Sequence, residues 1–256
     1  MLTKLLYLRM EVFMKRQKIR RALIFFSLLA FPIIMWYLSP VLIIQAASEH
    51  IMNGSFFVFV TMFISSMFLG RVWCGYLCPA GGLMECCAQI NEKPAKQGWR
   101  DKIKYVIWTV WMLAVVITFI LGKNDVTIDF FYMTDHGISI ADIYNYVIYY
   151  GVILLLMVPT LIHGRRGACH YICWMAPFMV IGSTIGRFLH LPQLHVEGDR
   201  EKCISCKRCN KVCPMGLDVE AMVHAQTNHK CTECIQCGAC VDECPKGAVK
   251  YKIRWR

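Results

Sequence analysis

Cys203-Ile-Ser-Cys206-Lys-Arg-Cys209-Asn-Lys-Val-Cys213-Pro214 recurs in form as Cys234-Ile-Gln-Cys237-Gly-Ala-Cys240-Val-Asp-Glu-Cys244-Pro245. Both runs read C-x2-C-x2-C-x3-C-P, a spacing that wraps a short loop around one [4Fe–4S] cube. In the two-cube arrangement the fourth cysteine of each run ligates the other cluster. On that rule Cys203, Cys206, Cys209 and Cys244 hold one cluster, and Cys234, Cys237, Cys240 and Cys213 hold the second. Zinc also binds C-x2-C pairs, but four ligands complete a zinc site. That leaves a third evenly spaced cysteine and the Cys-Pro ending, each present twice, with no purpose. Residues 203–256 are therefore expected to form an α+β two-cluster ferredoxin-like domain of the bacterial type. Cys231 precedes the second run at the same interval, but the Cys244-Pro245 register selects Cys234 as first ligand and leaves Cys231 spare. Residues 189–202, with Pro192, Gly198 and mixed charge, read as a linker.

The rest of the chain is of another kind. Over 256 residues the composition is 57% hydrophobic, too apolar for an ordinary soluble domain, so membrane spans are expected. Fifteen cysteines would mean disulfides in a small secreted protein. Cluster-type spacing and the lack of a cleavable signal point instead to reduced thiols facing the cytoplasm. The formal charge of +11 is compatible with nucleic acid, but the basic residues lie beside apolar runs, the pattern of membrane topology. No helicase or nuclease motif accompanies them, and no nucleic acid is expected.

Residues 1–21 form a basic cytoplasmic N-terminus, with Lys4, Arg9, Lys15, Arg16, Lys18, Arg20 and Arg21 against Glu11; Met10 and Met14 are alternative starts. Four uncharged runs follow, 22–48, 51–70, 105–122 and 143–162, each near the length that crosses a hydrocarbon core as a helix. The first run is too long for a signal-peptide core, and Pro32 and Pro40 are expected to tilt or bend it. The loops between runs alternate. The second holds Arg71, Lys93, Lys96, Arg100, Lys102 and Lys104, and the fourth run exits into Arg165 and Arg166. The third loop holds Asp125, Asp129, Asp135 and Asp142 against Lys123. The positive-inside rule then places both termini and the ferredoxin domain in the cytoplasm. The expected architecture is an all-α four-helix membrane domain over 22–188 in the inner (cytoplasmic) membrane. Residues 174–188 read as a short interfacial or re-entrant piece.

A weak repeat overlays the membrane part. The second run ends in Cys74-Gly-Tyr-Leu-Cys78-Pro79 and the fourth in Cys169-His-Tyr-Ile-Cys173. Cysteines four apart on a helix share one face, which makes Cys74 with Cys78, and Cys169 with Cys173, two thiol pairs at one membrane depth. Their options are a redox dithiol, or four thiolates converging on a soft metal or a third cluster. Packing as small buried hydrophobes is the plainer alternative. An intrahelical disulfide is strained at that separation. Cys86 and Cys87 fall on different helix faces and read as packing.

No histidine sits mid-span: His50 and His136 fall in outer loops, His163 and His170 at the inner edge. No transmembrane haem is therefore expected, and no nucleotide-binding glycine motif appears. With every visible redox centre at one edge, electrons must pass through another subunit or a lipid-soluble carrier. A membrane quinone in an apolar cleft fits the second route. Trp73, Tyr76, Tyr171 and Trp174 flank the thiol pairs and could line such a cleft, although belt residues at the membrane interface are the commoner use of such side chains.

Four spans, C-x3-C(P) pairs at the cytoplasmic side and a C-terminal two-cluster ferredoxin domain resemble the NapH family of quinol dehydrogenase membrane subunits. The layout is also similar to the membrane-and-ferredoxin part of NosR and to CcoG. The resemblance covers about residues 20–250 and implies quinol oxidation, with electrons passed to a partner redox protein. By likeness to CcoG it implies instead copper reduction, or maturation of a metal centre, at the thiol pairs. Trp174 stands where a proline would follow Cys173, a departure from strict equivalence of the two pairs. A redox sensor is a third class, but it needs an effector domain that the chain does not supply.

Overall fold

The structure is a computed structural model that describes residues 2–95, 98–122, 125–227 and 230–254, without the side chains of 2–14 and 254. Lys96 and Lys123, counted above among the loop charges, lie outside the described residues, as do the side chains of Lys4, Arg9 and Glu11.

The first apolar run is not one helix. Helix α1 (Leu2–Leu29) runs through the basic N-terminal stretch, and α2 (Phe31–Ile34), a 3-10 turn at Trp36–Leu38 and α3 (Pro40–Ser48) follow. The expectation of a single bent span over 22–48 is thus corrected to a broken one. Pro32 has no amide hydrogen to continue the ladder. Ser39, placed before Pro40, is extended (φ −81°, ψ 124°), and its hydroxyl accepts from the Leu42 amide to cap α3. A short strand β1 (Ile51–Asn53) leads into α4 (Gly54–Leu69), where the Asn53 side chain accepts from the Phe56 amide. Two short helices, α5 (Val72–Tyr76) and α6 (Pro79–Cys87), carry the first thiol pair.

Helix α7 (Ile103–Leu121), strand β2 (Thr127–Asp129) and helix α8 (Ile143–His163) come next, β2 pairing in parallel with β1. Residues Trp99–Leu121 and Ile143–His163 are long and apolar enough to cross a membrane, and Gly54–Leu69 is a shorter apolar helix. The outward faces of α7 and α8 are apolar and exposed, for example Val110, Leu113, Val147 and Leu154, as expected of a surface that lipid covers.

Helix α9 (Gly167–Tyr171) leads to α10 (Met175–Phe188), which packs along α4. The approach is backbone to backbone: a Cβ at Gly182 would lie 2.7 Å from the Phe63 carbonyl, and one at Gly186 2.3 Å from that of Met67. Small residues one turn apart allow this closeness.

The C-terminal part consists of β3 (Gln193–Gly198), α11 (Arg208–Val212), α12 (Val219–His224), α13 (Ala239–Glu243) and β4 (Val249–Arg254). Strands β3 and β4 are antiparallel, with Gln193 opposite Arg254 and Gly198 opposite Val249. Residues 193–198, expected within a linker, are therefore half of the only sheet that closes this part among the described residues. Gln193 and Val196 are the buried residues of β3, and the Gln193 amide donates to the Met67 and Ser183 carbonyls. One buried core runs through the chain, joining Phe59, Met62 and Met179 of the membrane part to Met215, Val223 and Ile235 beside the cluster loops.

Candidate functional site

The two cysteine runs fold alike. In the first loop Ser205 (φ 52°) and Lys207 (φ 55°) are left-handed, and in the second Gln236 (φ 53°) and Gly238 (φ 74°) occupy the same two positions around the middle cysteine. Each left-handed residue reverses the chain, so the first three cysteines of a run curl around one centre. A short helix follows, α11 or α13, and then the fourth cysteine in extended geometry: Cys213 at φ −69°, ψ 115° and Cys244 at φ −75°, ψ 109°. The extended turn aims each fourth thiol away from its own loop.

Cys203, Cys206, Cys209 and Cys244 line one small cavity with Pro245. On the other side, burial and then the nearby Cys237 push Cys213 up to about 11. Burial and then Cys234, Cys237 and Cys213 push Cys240 up as well. The donor set, two groups of four cysteines each curled about a centre, fits a pair of [4Fe–4S] clusters. Cys231 lies beside Cys234 and Cys213, at the edge of the second group. Cys206 is exposed and Cys237 and Cys240 are buried, so the first group faces the surface and the second faces inward.

The membrane-edge pairs come together, though not as expected. Cys74 lies on α5, but Cys78 caps α6 in extended geometry (φ −77°, ψ 117°), because Pro79 ends the preceding helical path. Cys169 lies on α9 and Cys173 in the turn before α10. The members of each pair therefore do not share one helix face: each pair straddles a helix break, and the two breaks bring four thiols to one cleft. Burial, then Cys74, Cys169 and Cys173, raises the Cys78 thiol. Burial and then Cys173 push Cys169 up to about 12, against the pull of Arg166. Two thioethers touch the group, Met84 Sδ at 3.5 Å from Cys169 Sγ and Met179 Sδ at 3.9 Å from Cys74 Sγ. Cys86 is exposed and Cys87 buried, away from the quartet. Among the described residues, no three Cys, His, Asp or Glu side chains stand close enough to hold a single metal ion.

The charges around these thiols are not apparent from the sequence. Arg71, Lys104 and Arg166, which flank the apolar runs in the sequence, are at most 2% exposed. Glu233 accepts from Arg71 at 3.0 Å and from Lys104 at 2.5 Å. Glu85 accepts from Arg20 at 2.7 Å and from Arg166 at 2.5 Å. Burial alone would raise Glu85, yet Arg166 and Arg20 hold it below the usual carboxylate range. Arg166 also donates to the Cys74 carbonyl at 2.8 Å. Nε and Nη2 of Arg71 and Nε of Arg166 remain buried without a hydrogen-bond partner. Buried donors are ordinarily satisfied. Unsatisfied guanidinium donors beside four thiols fit a negatively charged metal–thiolate centre. No signal in the sequence pairs Glu85 with Arg166 or Glu233 with Arg71, since each pair is distant along the chain.

The membrane-edge site abuts the inner cluster loop. A Cβ on Gly75 would stand 2.5 Å from the Ile235 carbonyl and 3.5 Å from Cys237 Cα. Tyr76 donates to the Cys237 carbonyl at 3.4 Å, and Tyr251 donates to that of Gln236 at 2.6 Å. From α1, Arg16 pairs with Asp242 and lies over the Tyr251 ring, while Gln17 donates to the Cys237 carbonyl at 3.1 Å. Of the aromatic residues expected around the thiols, Trp174 lines the cleft. Tyr171 is buried against His163, and Trp73 is half-buried. His170 is fully buried, held between Asp101 and the Met215 carbonyl.

The cleft ending at the thiols has a volume of about 930 Å³. Its walls are mostly apolar: Phe31, Met35, Trp36 and Leu38 on one side, Val152 and Leu156 on the other. Such a space accepts a hydrophobic ring.

Comparison with known proteins gives two family matches: a 4Fe-4S dicluster domain over residues 195–245 and a 4Fe-4S binding domain over residues 54–97. The second spans Cys74 and Cys78. An uncharacterised protein of Methanocaldococcus jannaschii is 25% identical over 205 residues, 77% of this chain and 78% of that protein. The ferredoxin-type protein NapH of Haemophilus influenzae is 23% identical over 190 residues, 72% of this chain and 63% of that protein. An uncharacterised ferredoxin of M. jannaschii is 37% identical over 60 residues, 22% of this chain and 74% of that protein. Against several relatives, NapH among them, the chain spans less than two thirds of their length. No solved structure matches the chain.

Proposed function

The chain belongs to the NapH-like family of ferredoxin-type iron–sulfur electron-transport proteins, and from that premise we propose that it carries electrons between a membrane hydroquinone and a partner redox protein. The observation that carries this reading is the cleft. Cys74, Cys78, Cys169 and Cys173 together line it, and the segment bearing Cys74 rests on the Cys234–Cys237 loop. Cys203, Cys206, Cys209 and Cys244 hold one cluster, Cys234, Cys237, Cys240 and Cys213 the other, and the membrane-edge quartet holds a third iron–sulfur centre. Bound there, such clusters supply one-electron carriers that take up no proton. The chain's own part is placement. Arg71 and Arg166 offset thiolate charge in a buried setting, α5 presses the quartet onto the inner loop, and the exposed Cys206 loop offers an exit to a partner. Both termini and the ferredoxin domain lie on the cytoplasmic side of a four-span membrane part, by the alternation of basic loops.

Iron and acid-labile sulfide per chain test this reading together with reduction by quinol. About twelve irons are expected, eight for the two loops and four for the quartet. Decylubiquinol should reduce the centres in liposomes, and Cys74→Ala with Cys169→Ala should lower the iron to about eight and abolish that reduction, while dithionite still reduces the rest. A chain that decylubiquinol never reduces loses the quinol role.

A second reading is favoured by one contact set. Met84 and Met179 at the thiols add thioether sulfur, a donor mix that selects Cu(I). Eight irons with stoichiometric Cu(I) binding, lost in the same double variant, would establish that reading in place of the third iron–sulfur centre.

A further inference from the structure

The cleft does not stop at the thiols. Asn145, Ile148, Val152 and Leu156, on one face of α8, line it, and the rise from Asn145 to Leu156 is about 16 Å at 1.5 Å per residue. At the end away from the thiols its wall is the acidic loop, with Asp135 and Asp142. Among the described residues that line the cleft, these two are the only carboxylates, and no Lys, Arg, His, Glu or Tyr joins them. The carboxylates near the thiols are committed: Glu85 and Glu233 each answer two buried cations and lie outside the lining. His170 is likewise held by Asp101 and a carbonyl.

We infer that protons released from a hydroquinone oxidised in this cleft leave by way of Asp135 and Asp142, on the face opposite the thiols and the cluster loops, so that oxidation separates charge across the membrane. The inference rests on the hydroquinone reading above. The balance is complete: both hydroxyl O–H bonds break and the ring becomes a quinone. Two electrons leave at the thiol end for an oxidised partner, and two protons pass to the carboxylates and then to water. The cavity of about 930 Å³ has room for a ring and, beside the polar part of its wall, for waters at ~30 Å³ each. Ser39 and Asn145 supply polar steps along the wall.

The test uses the whole chain with its clusters in liposomes holding trapped pyranine, with decylubiquinol as donor and external ferricyanide as impermeant acceptor. Only vesicles with the cluster loops outward turn over. The lumen should acidify by about two protons for each decylubiquinol oxidised. Asp135→Asn with Asp142→Asn should slow acidification at least about tenfold and leave the EPR of the dithionite-reduced protein unchanged. Quenching of tryptophan fluorescence by decylubiquinone should persist in that variant, since Trp174 lies at the other end. Proton release outside the vesicles, with donor oxidation intact, overturns the inference and leaves the hydroquinone reading standing. No oxidation of the donor overturns both.

Discussion

Glu85 answers two guanidinium groups at once, Arg20 and Arg166, all three largely removed from water. Taking away one partner of a buried ion network strands the others, at a cost of about 3–5 kcal/mol. Glu85→Gln should lower unfolding stability in detergent by that order at pH 7. The pH dependence has a definite sign. The folded carboxyl titrates below the ordinary value of 4.5, so its contribution is fully present above that pH and is lost as pH falls through the folded value. Urea midpoints at pH 7 and in steps below 4.5 should show the wild type losing this part and the Gln variant lacking it throughout. Equal slopes for both proteins would refute the assignment. The iron–sulfur character of 195–245, by contrast, was legible in the sequence, because an iron–sulfur loop needs its cysteines at fixed short spacing and that spacing is written along the chain. Arg71, Lys104 and Arg166 read as surface charges, because a basic residue at the end of an apolar run looks the same whether it meets water or a buried glutamate.

Helix α5 is the joint between the membrane part and the inner cluster loop, and Gly75 is its contact point. Gly75→Ala places a methyl 2.5 Å from the Ile235 carbonyl, a backbone atom that cannot swing aside. Overpacking of this kind costs about 1–3 kcal/mol. The thermal midpoint should fall, and the EPR signal of the cluster nearest Cys237 should broaden or shift. Gly151→Ala on α8 is the control: nothing lies within 4 Å of that position, and the helix should gain up to ~1 kcal/mol. A variant at Gly75 as stable as the one at Gly151 would mean that the joint is loose. Proline stands at three of the helix breaks, Pro32, Pro40 and Pro79, all visible in the sequence, whereas the breaks at Gly70 and at Cys173 carry none. The consequence of these prolines was not visible: the break at Pro79 turns Cys78 out of the face of Cys74, and the two pairs meet through the packing of α5 and α6 with α9 and α10.

For the molecule as a whole, the acidic stretch around β2 and the cluster loops should lie on opposite sides of the membrane. Alkaline phosphatase fused after Thr134 should be active in cells, and the same enzyme fused after Trp99 inactive; the reverse pattern would invert the proposed topology. The apolar runs and the iron–sulfur class follow from local spacing and composition, since chain geometry alone sets which residues a helix or a tight loop presents. Other features depended on the folded chain: the strand at 193–198, the cationic frame around the thiols, and the cleft that joins Cys74, Cys78, Cys169 and Cys173 to Asp135 and Asp142. These are contacts between residues far apart in the chain, and only packing decides which distant surfaces exclude water from each other.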